Sequence, residues 1–181
     1  MEREVTITYL EMTSPSDAVP YERPRRLEVR RAELPCPELN RMLYLAVGGD
    51  WWWHSRLGWE RERWLDWVDR PELETWLGYL RGTPVGYFEL ERQPGNQVEL
   101  VYFGLLPTFI GRGLGGELLA AAVERAWTPG TERVWVHTCT LDHPSALPNY
   151  RARGFRIYDT HTIHERLPDA RPSLWQAGRH P

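Results

Sequence analysis

From Glu4 to Met12 the chain alternates apolar and polar side chains in β-branched company (EVTITYLEM), a period of two that predicts a strand with one buried face. A proline-rich loop over residues 15–24 separates it from a short second strand expected at Leu27–Ala32. The period then lengthens. Leu39, Met42, Leu43 and Ala46 recur at helical spacing after Glu38 until Gly48-Gly49, and Glu60–Val68 predicts a second short helix. Three strand-like segments follow, at Leu73–Leu80, Val85–Leu90 and Val98–Leu106. The turn signals Arg81-Gly82-Thr83-Pro84 and Gln93-Pro94-Gly95-Asn96 divide them, which favours an antiparallel meander. Leu114, Leu118, Leu119, Ala122, Val123 and Ala126 then form a helical stripe closed by Pro129-Gly130. Val134–Thr138 predicts a strand, Pro144–Ala152 a helix ended by Gly154, and Phe155–Tyr158 and Thr162–Arg166 two final strands. This order describes a single α/β domain with a mixed sheet over residues 1–167. Residues 168–181, rich in Pro, Gly and Arg, are expected to form a loosely held tail that Trp175 is placed to pin.

Composition narrows the chemistry. A chain of 181 residues can bury a core without covalent staples, and its two cysteines, Cys36 and Cys139, are too few for a disulfide framework or a cysteine-based zinc site. His161 and His164 point to opposite faces of a strand, so no metal site is expected there. The net charge of −3 advertises neither nucleic acid nor membrane lipid as a partner. The Met1-Glu2-Arg3-Glu4 start lacks the basic-then-apolar pattern of a secretory signal, so a cytoplasmic protein is expected. All 22 basic residues are arginine; without lysine, Schiff-base chemistry and a P-loop are both excluded.

The most informative segment runs VELVYFGLLPTFIGRGLGGELL, from Val98 to Leu119. A strand leads through a short loop into Gly111-Arg112-Gly113-Leu114-Gly115-Gly116, and a helix follows at once. Free N–H groups and the positive dipole end at a helix start bind anions, glycines let the backbone approach a bulky pyrophosphate, and Arg112 adds a charged fork. Gly111, Gly113 and Gly116 also match the dinucleotide fingerprint G-x-G-x-x-G. That reading fails, because several residues separate the loop from its strand and too little chain follows for a doubly wound sheet.

With these residues the sequence resembles the GNAT superfamily of acetyl-CoA-dependent N-acyltransferases, whose pyrophosphate motif is Q/R-x-x-G-x-G/A. Arg112-Gly113-Leu114-Gly115 supplies its x-G-x-G portion, while Ile110 stands where the family has Gln or Arg. A second family pattern, N-x-x-A-x-x-x-Y-x-x-x-G-F, is met by Ala146, Tyr150, Gly154 and Phe155, with His143 in place of the Asn. The resemblance covers roughly residues 75–160. It implies a GNAT-like fold, a mixed and mostly antiparallel sheet flanked by about four helices. It also implies acetyl-CoA as cosubstrate, lying against the strand Val98–Leu106 where this splays from Val134–Thr138, with Phe103, Gly104 and Leu105 holding the acetyl carbonyl and pantetheine arm. Gly111, Arg112, Gly113, Gly115, Gly116 and His143 would complete the cofactor site.

On the same resemblance Tyr150 protonates the departing sulfur, and Glu99 deprotonates the amine directly or through water. Strand alternation puts Glu99, Val101 and Phe103 on one face. Glu89, Glu91 and His143 remain rival bases. Cys139 has no histidine placed beside it and is read as structural, which favours direct transfer in a ternary complex. Six tryptophans, at positions 51, 52, 53, 59, 64 and 67, fall within 17 residues. By analogy this connection lines the acceptor site, so Trp52 and Trp53, with Glu89, are the expected substrate contacts. Aromatic walls suit an apolar or aromatic acceptor, or a cation held over a ring face. Three consecutive tryptophans are not expected to point inward together, so at least one should be exposed or at an interface, with a homodimer as one candidate. The expected function is acetyl transfer to a small-molecule amine. A CoA-binding or aromatic-ligand sensing module without turnover is the alternative.

Overall fold

Residues 1–175 are described by a computed structural model. The alternating N-terminal segment becomes β1 (Glu2–Met12), followed by β2 (Glu28–Arg31), α1 (Pro37–Gly48), α2 (Arg61–Val68), β3 (Leu73–Leu80), β4 (Thr83–Gln93) and β5 (Gln97–Leu105). After the glycine loop come α3 (Gly115–Ala126), β6 (Arg133–Cys139), α4 (Ala146–Ala152) and β7 (Arg156–Arg166). The strands form one seven-stranded sheet in the order β2-β3-β4-β5-β6-β1-β7. Every neighbouring pair is antiparallel except β5 and β6, which run parallel. No helix among the described residues is long and apolar enough to cross a membrane.

Period-two alternation sends the two faces of the sheet to different helices. On one face Leu10, Met12, Phe88, Leu90, Leu100, Val134 and Val136 pack against the Leu118, Leu119 and Val123 stripe of α3 and against Tyr150 of α4. On the other, Leu77 and Tyr87 meet Leu43 and Val47 of α1. The periodic stripes read from the sequence therefore do what their spacing requires, and burial of large apolar side chains supplies most of the drive to fold.

The structure departs from the sequence expectations in four places. The two final strands are a single one, because β7 pairs along the length of β1: Asp159, Thr160 and His161 stay in register with Tyr9, Thr8 and Ile7, and the register shift between Tyr9 and Leu10 leaves Tyr158 as the extra residue. As an exposed edge strand it can carry polar residues at no desolvation cost. Helix α4 starts at Ala146 rather than Pro144, since Ser145 N–H donates to His143 Nδ1 in a turn of its own (3.0 Å). In β5 a bulge intervenes: Leu90 pairs with Leu100 and Glu89 with Tyr102, leaving Val101 as an extra residue. Glu99 consequently shares its face with Tyr102, and Phe103 turns to the opposite face with Leu100. Finally, Trp175 is exposed and pins nothing; residues 176–181 of the expected tail lie outside the described residues.

Leu118 is wholly buried between α3 and the sheet. Leu118→Ala is expected to cost about 2–5 kcal/mol, read as a lower urea midpoint with an unchanged slope.

Candidate functional site

Strands β5 and β6 are in register only from Gln97↔Arg133 to Glu99↔Trp135. Beyond that point β5 keeps its β4 partner but has lost β6, and a cavity of about 710 Å³ opens between the diverging strands. Its floor is the β5 stretch Leu100–Leu105; His137 and Cys139 of β6, Tyr150 of α4 and the Trp51–Ser55 loop form its walls. At one end stands the glycine loop. Gly111 and Gly113 have φ of 79° and 72°, left-handed values that favour glycine, and bring the chain into α3 at the cavity edge. The α3 N-cap, Leu114, makes no side-chain capping bond, so the first N–H groups of the helix are left for a ligand.

Phe103, Gly104, Leu105, Gly111, Gly113, Gly115, Gly116 and His143 all line the cavity. Arg112 does not: its guanidinium lies over Phe109, 5.5 Å from the ring centroid, while its carbonyl accepts from Arg26. The cavity wall takes Ile110 at that turn, and α4 adds Asn149, whose amide faces Gly115 and Gly116. Free N–H groups, glycine loop and apolar channel together suit a pyrophosphate followed by a pantetheine arm.

Tyr150 is buried against Phe103 and Phe155, with ring centroids 6.0 and 5.9 Å away, and lines the cavity. Burial pushes its phenol well above the ordinary value, and the nearby Asp142 carboxylate pushes it further. The same two causes raise the Cys139 thiol to about 11. Asp142 itself accepts from Thr138 Oγ1 (2.7 Å), Cys139 N–H (3.1 Å) and Trp53 Nε1 (3.3 Å).

The carboxylates anticipated in β4 and β5 lie elsewhere. Glu89 is fully buried beneath α1 and α2, outside the cavity lining, so it is not a substrate contact in this geometry. It accepts from Asn40 Nδ2 (2.9 Å) and Trp67 Nε1 (3.0 Å) and lies 3.8 Å from the Arg56 guanidinium. Burial raises its pKa, and Arg56 with the two donors opposes the rise. Glu91 pairs with Arg70 at 2.8 Å. Glu99 also stays off the lining; Gln93 Nε2 donates to it (2.8 Å), and His137 Nδ1 stands 3.4 Å from its other oxygen. His137, not Glu99, meets the cavity. The carboxylates that do line it are Asp142 and Glu165, the latter 3.1 Å from His54 Nε2. Asp142 adjoins the His143 motif position and was within reach of sequence reasoning; Glu165, on the edge strand, carries no local signal.

Trp51, Trp52 and Trp53 all line the cavity and none is exposed, contrary to the expectation from three consecutive indoles. Trp52 adopts a left-handed backbone (φ 62°), which fans the rings apart. Trp51 packs edge-on against His143 (4.8 Å), Trp52 lies between Arg3 and Arg171 (5.4 and 5.5 Å), and Trp53 meets Tyr102 (4.7 Å). A Cβ on Gly48 would sit 2.0 Å from the Trp53 ring, so the glycine that ends α1 makes room for this indole. The remaining tryptophans serve another purpose. Arg56 is buried with its guanidinium 3.7 Å from Trp67, 4.5 Å from Tyr102 and 4.6 Å from Trp59, a cation enclosed by ring faces.

The model of the Acetyltransferase (GNAT) family matches residues 30–155. The chain is similar to a mycothiol acetyltransferase of Corynebacterium efficiens, 26% identical over 125 residues, which is 63% of this chain and 40% of that protein. Its fold is similar to a GCN5-related N-acetyltransferase from Sphaerobacter thermophilus (TM-score 0.66, 21% identity, 96% of this chain and 54% of that one). It is also similar to a Bacillus subtilis acetyltransferase in complex with CoA (TM-score 0.54, 20% identity, 74% of this chain and 78% of that one). The chain thus spans 40% of the length of the curated relative.

Replacing Arg56 strands Glu89. Arg56→Leu is expected to destabilise the fold by about 3–5 kcal/mol at pH 7.5. Without the guanidinium the folded-state pKa of Glu89 rises further above its unfolded value. The penalty is therefore absent below the unfolded pKa of about 4.3 and present above it. Urea denaturation at pH 7.5 and pH 4 should show the gap to wild type narrowing at the lower pH.

Proposed function

Because this chain belongs to the GNAT acetyltransferase family, we propose that it transfers an acetyl group from acetyl-CoA to an amine by direct attack in a ternary complex. The observation that carries this reading is the cleft where β5 parts from β6, with the uncapped start of α3 at one end and Tyr150 in its wall. The Bacillus subtilis neighbour with CoA bound supports the same ligand for this cleft. Acetyl-CoA, when bound, supplies the acyl group as an activated thioester.

The chain's own residues divide the remaining work. Gly111–Gly116 and the α3 N–H groups receive the phosphates, and Phe103–Leu105 present backbone groups no longer engaged by β6. Tyr150, kept neutral by burial, gives its proton to the sulfur as it leaves. His137 takes the proton of the attacking amine. Glu99 then acts as a positioning residue behind it, holding the Nδ1 side of the ring at 3.4 Å. A thiol at about 11 stays protonated at neutral pH, which supports direct transfer over an acyl relay through Cys139. We place the reaction in the cytoplasm, a reading supported by the two free thiols Cys36 and Cys139.

Saturating acetyl-CoA is expected to raise the melting temperature by roughly 5–10 °C, with NAD as the inactive control. Tyr150→Phe should keep that rise and lower kcat by about 10²–10⁴-fold. Absence of the rise would remove the cofactor reading. A rise without CoA release on any amine would leave a binding module in its place.

A further inference from the structure

The end of the cavity away from the glycine loop has a composition of its own. Aromatic rings from Tyr44, Trp53 and Tyr102 cluster in its lining with centroids 4.7 to 5.6 Å apart, Trp51 stands beside His143, and Val5 and Ile163, paired between β1 and β7, add aliphatic surface. Its charged groups are carboxylates: Asp142 and Glu165 line it directly, and Glu99 stands one layer behind His137. Among the described residues no arginine lines the cavity, in a chain where every basic residue other than histidine is arginine. The arginines that approach do so from outside. Arg3 and Arg171 stack on Trp52, and Arg56 reaches Tyr102 while facing Glu89.

A ligand carboxylate or phosphate at this end would meet two carboxylates and no guanidinium fork, the group that recognises such anions in two-point fashion. A sugar would leave many hydroxyls against indole and aliphatic surface without partners. An ammonium on an apolar body fits both features: ring faces and carboxylates attract the cation, and the walls cover the rest.

On the acetyl-transfer reading above, we infer that the acceptor is an arylalkylamine-type cation, a primary ammonium on an aromatic or bulky aliphatic body with no carboxylate or phosphate attached. Its ammonium faces Asp142 and Glu165, and its body lies against Trp51, Trp53 and Tyr102. On losing one proton to His137 the nitrogen attacks, forming the C–N bond as the C–S bond breaks; the sulfur takes the Tyr150 proton, and the second proton shed by the nitrogen restores the Tyr150 phenol. The amide formed is neutral. It no longer engages the carboxylates that received the substrate, so the chemistry itself loosens the product.

Calorimetric titration of the whole protein with 2-phenylethylamine, phenylalanine and glucosamine tests the inference without acetyl-CoA. 2-Phenylethylamine is expected to bind at least about tenfold more tightly than either of the others. Glu165→Gln, checked for folding by its own melting curve, should weaken that binding about tenfold. Equal affinity for phenylalanine, or preference for glucosamine, overturns the inference whether or not the variant folds. Stabilisation by acetyl-CoA without the amine preference would remove the acceptor class and leave acetyl transfer standing. The preference without that stabilisation would do the reverse.

Discussion

Glu99 and Trp135 are the last residues at which β5 and β6 face each other in register. Parallel strands are normally buried on both faces and paired to their ends, so ending the ladder in mid-sheet exposes backbone groups that must find other partners. The fold tolerates this because β5 is held from its other side by β4 through to Leu105, and β6 by β1 through to Cys139. Each strand is fixed along one edge and open along the other. The glycine loop, Tyr150 and the indole loop all converge on that opening, and none of them would line one cavity if the two strands stayed together.

Bulge and splay also act together. Val101 is inserted where the ladder with β6 has just ended, and the extra residue turns Glu99 and Phe103 to opposite faces. Phe103 goes to the side of Tyr150, while Glu99 goes behind His137. The aromatic residues over β4 serve stability in a different way. Arg56, closed in by Trp59, Trp67 and Tyr102, offsets the charge of a buried Glu89, and the pair ties α2 to the sheet beside the site. Such a pair is strongly destabilising when one member is removed, whatever its net worth when intact.

Much of this was legible in the sequence because it follows from local rules. Strand and helix periods placed ten of the eleven elements near their observed positions, and the glycine loop and the Tyr150 motif both fall in the lining of the cleft. What failed was non-local. No pattern in VELVYFG announces a bulge, since the extra residue is defined only by its pairing with β4. Glu89 reads like any alternating strand residue until Asn40, Arg56 and Trp67 are brought over it from elsewhere in the chain. Glu165 reaches the cavity only because β7 pairs with β1, and the Trp51–Trp53 fan depends on one left-handed residue that few side chains adopt.

Fanning three indoles around one cavity has an optical consequence. Indole emission responds to the polarity and charge around the ring, and here Trp51, Trp52 and Trp53 sit on the wall of the cavity. Trp64, wholly enclosed, and Trp175, almost wholly in solvent, supply fixed blue and red components against which that change stands out. The protein thus carries a built-in fluorophore set at its own candidate site, and occupancy of the cleft can be followed in real time with no label attached.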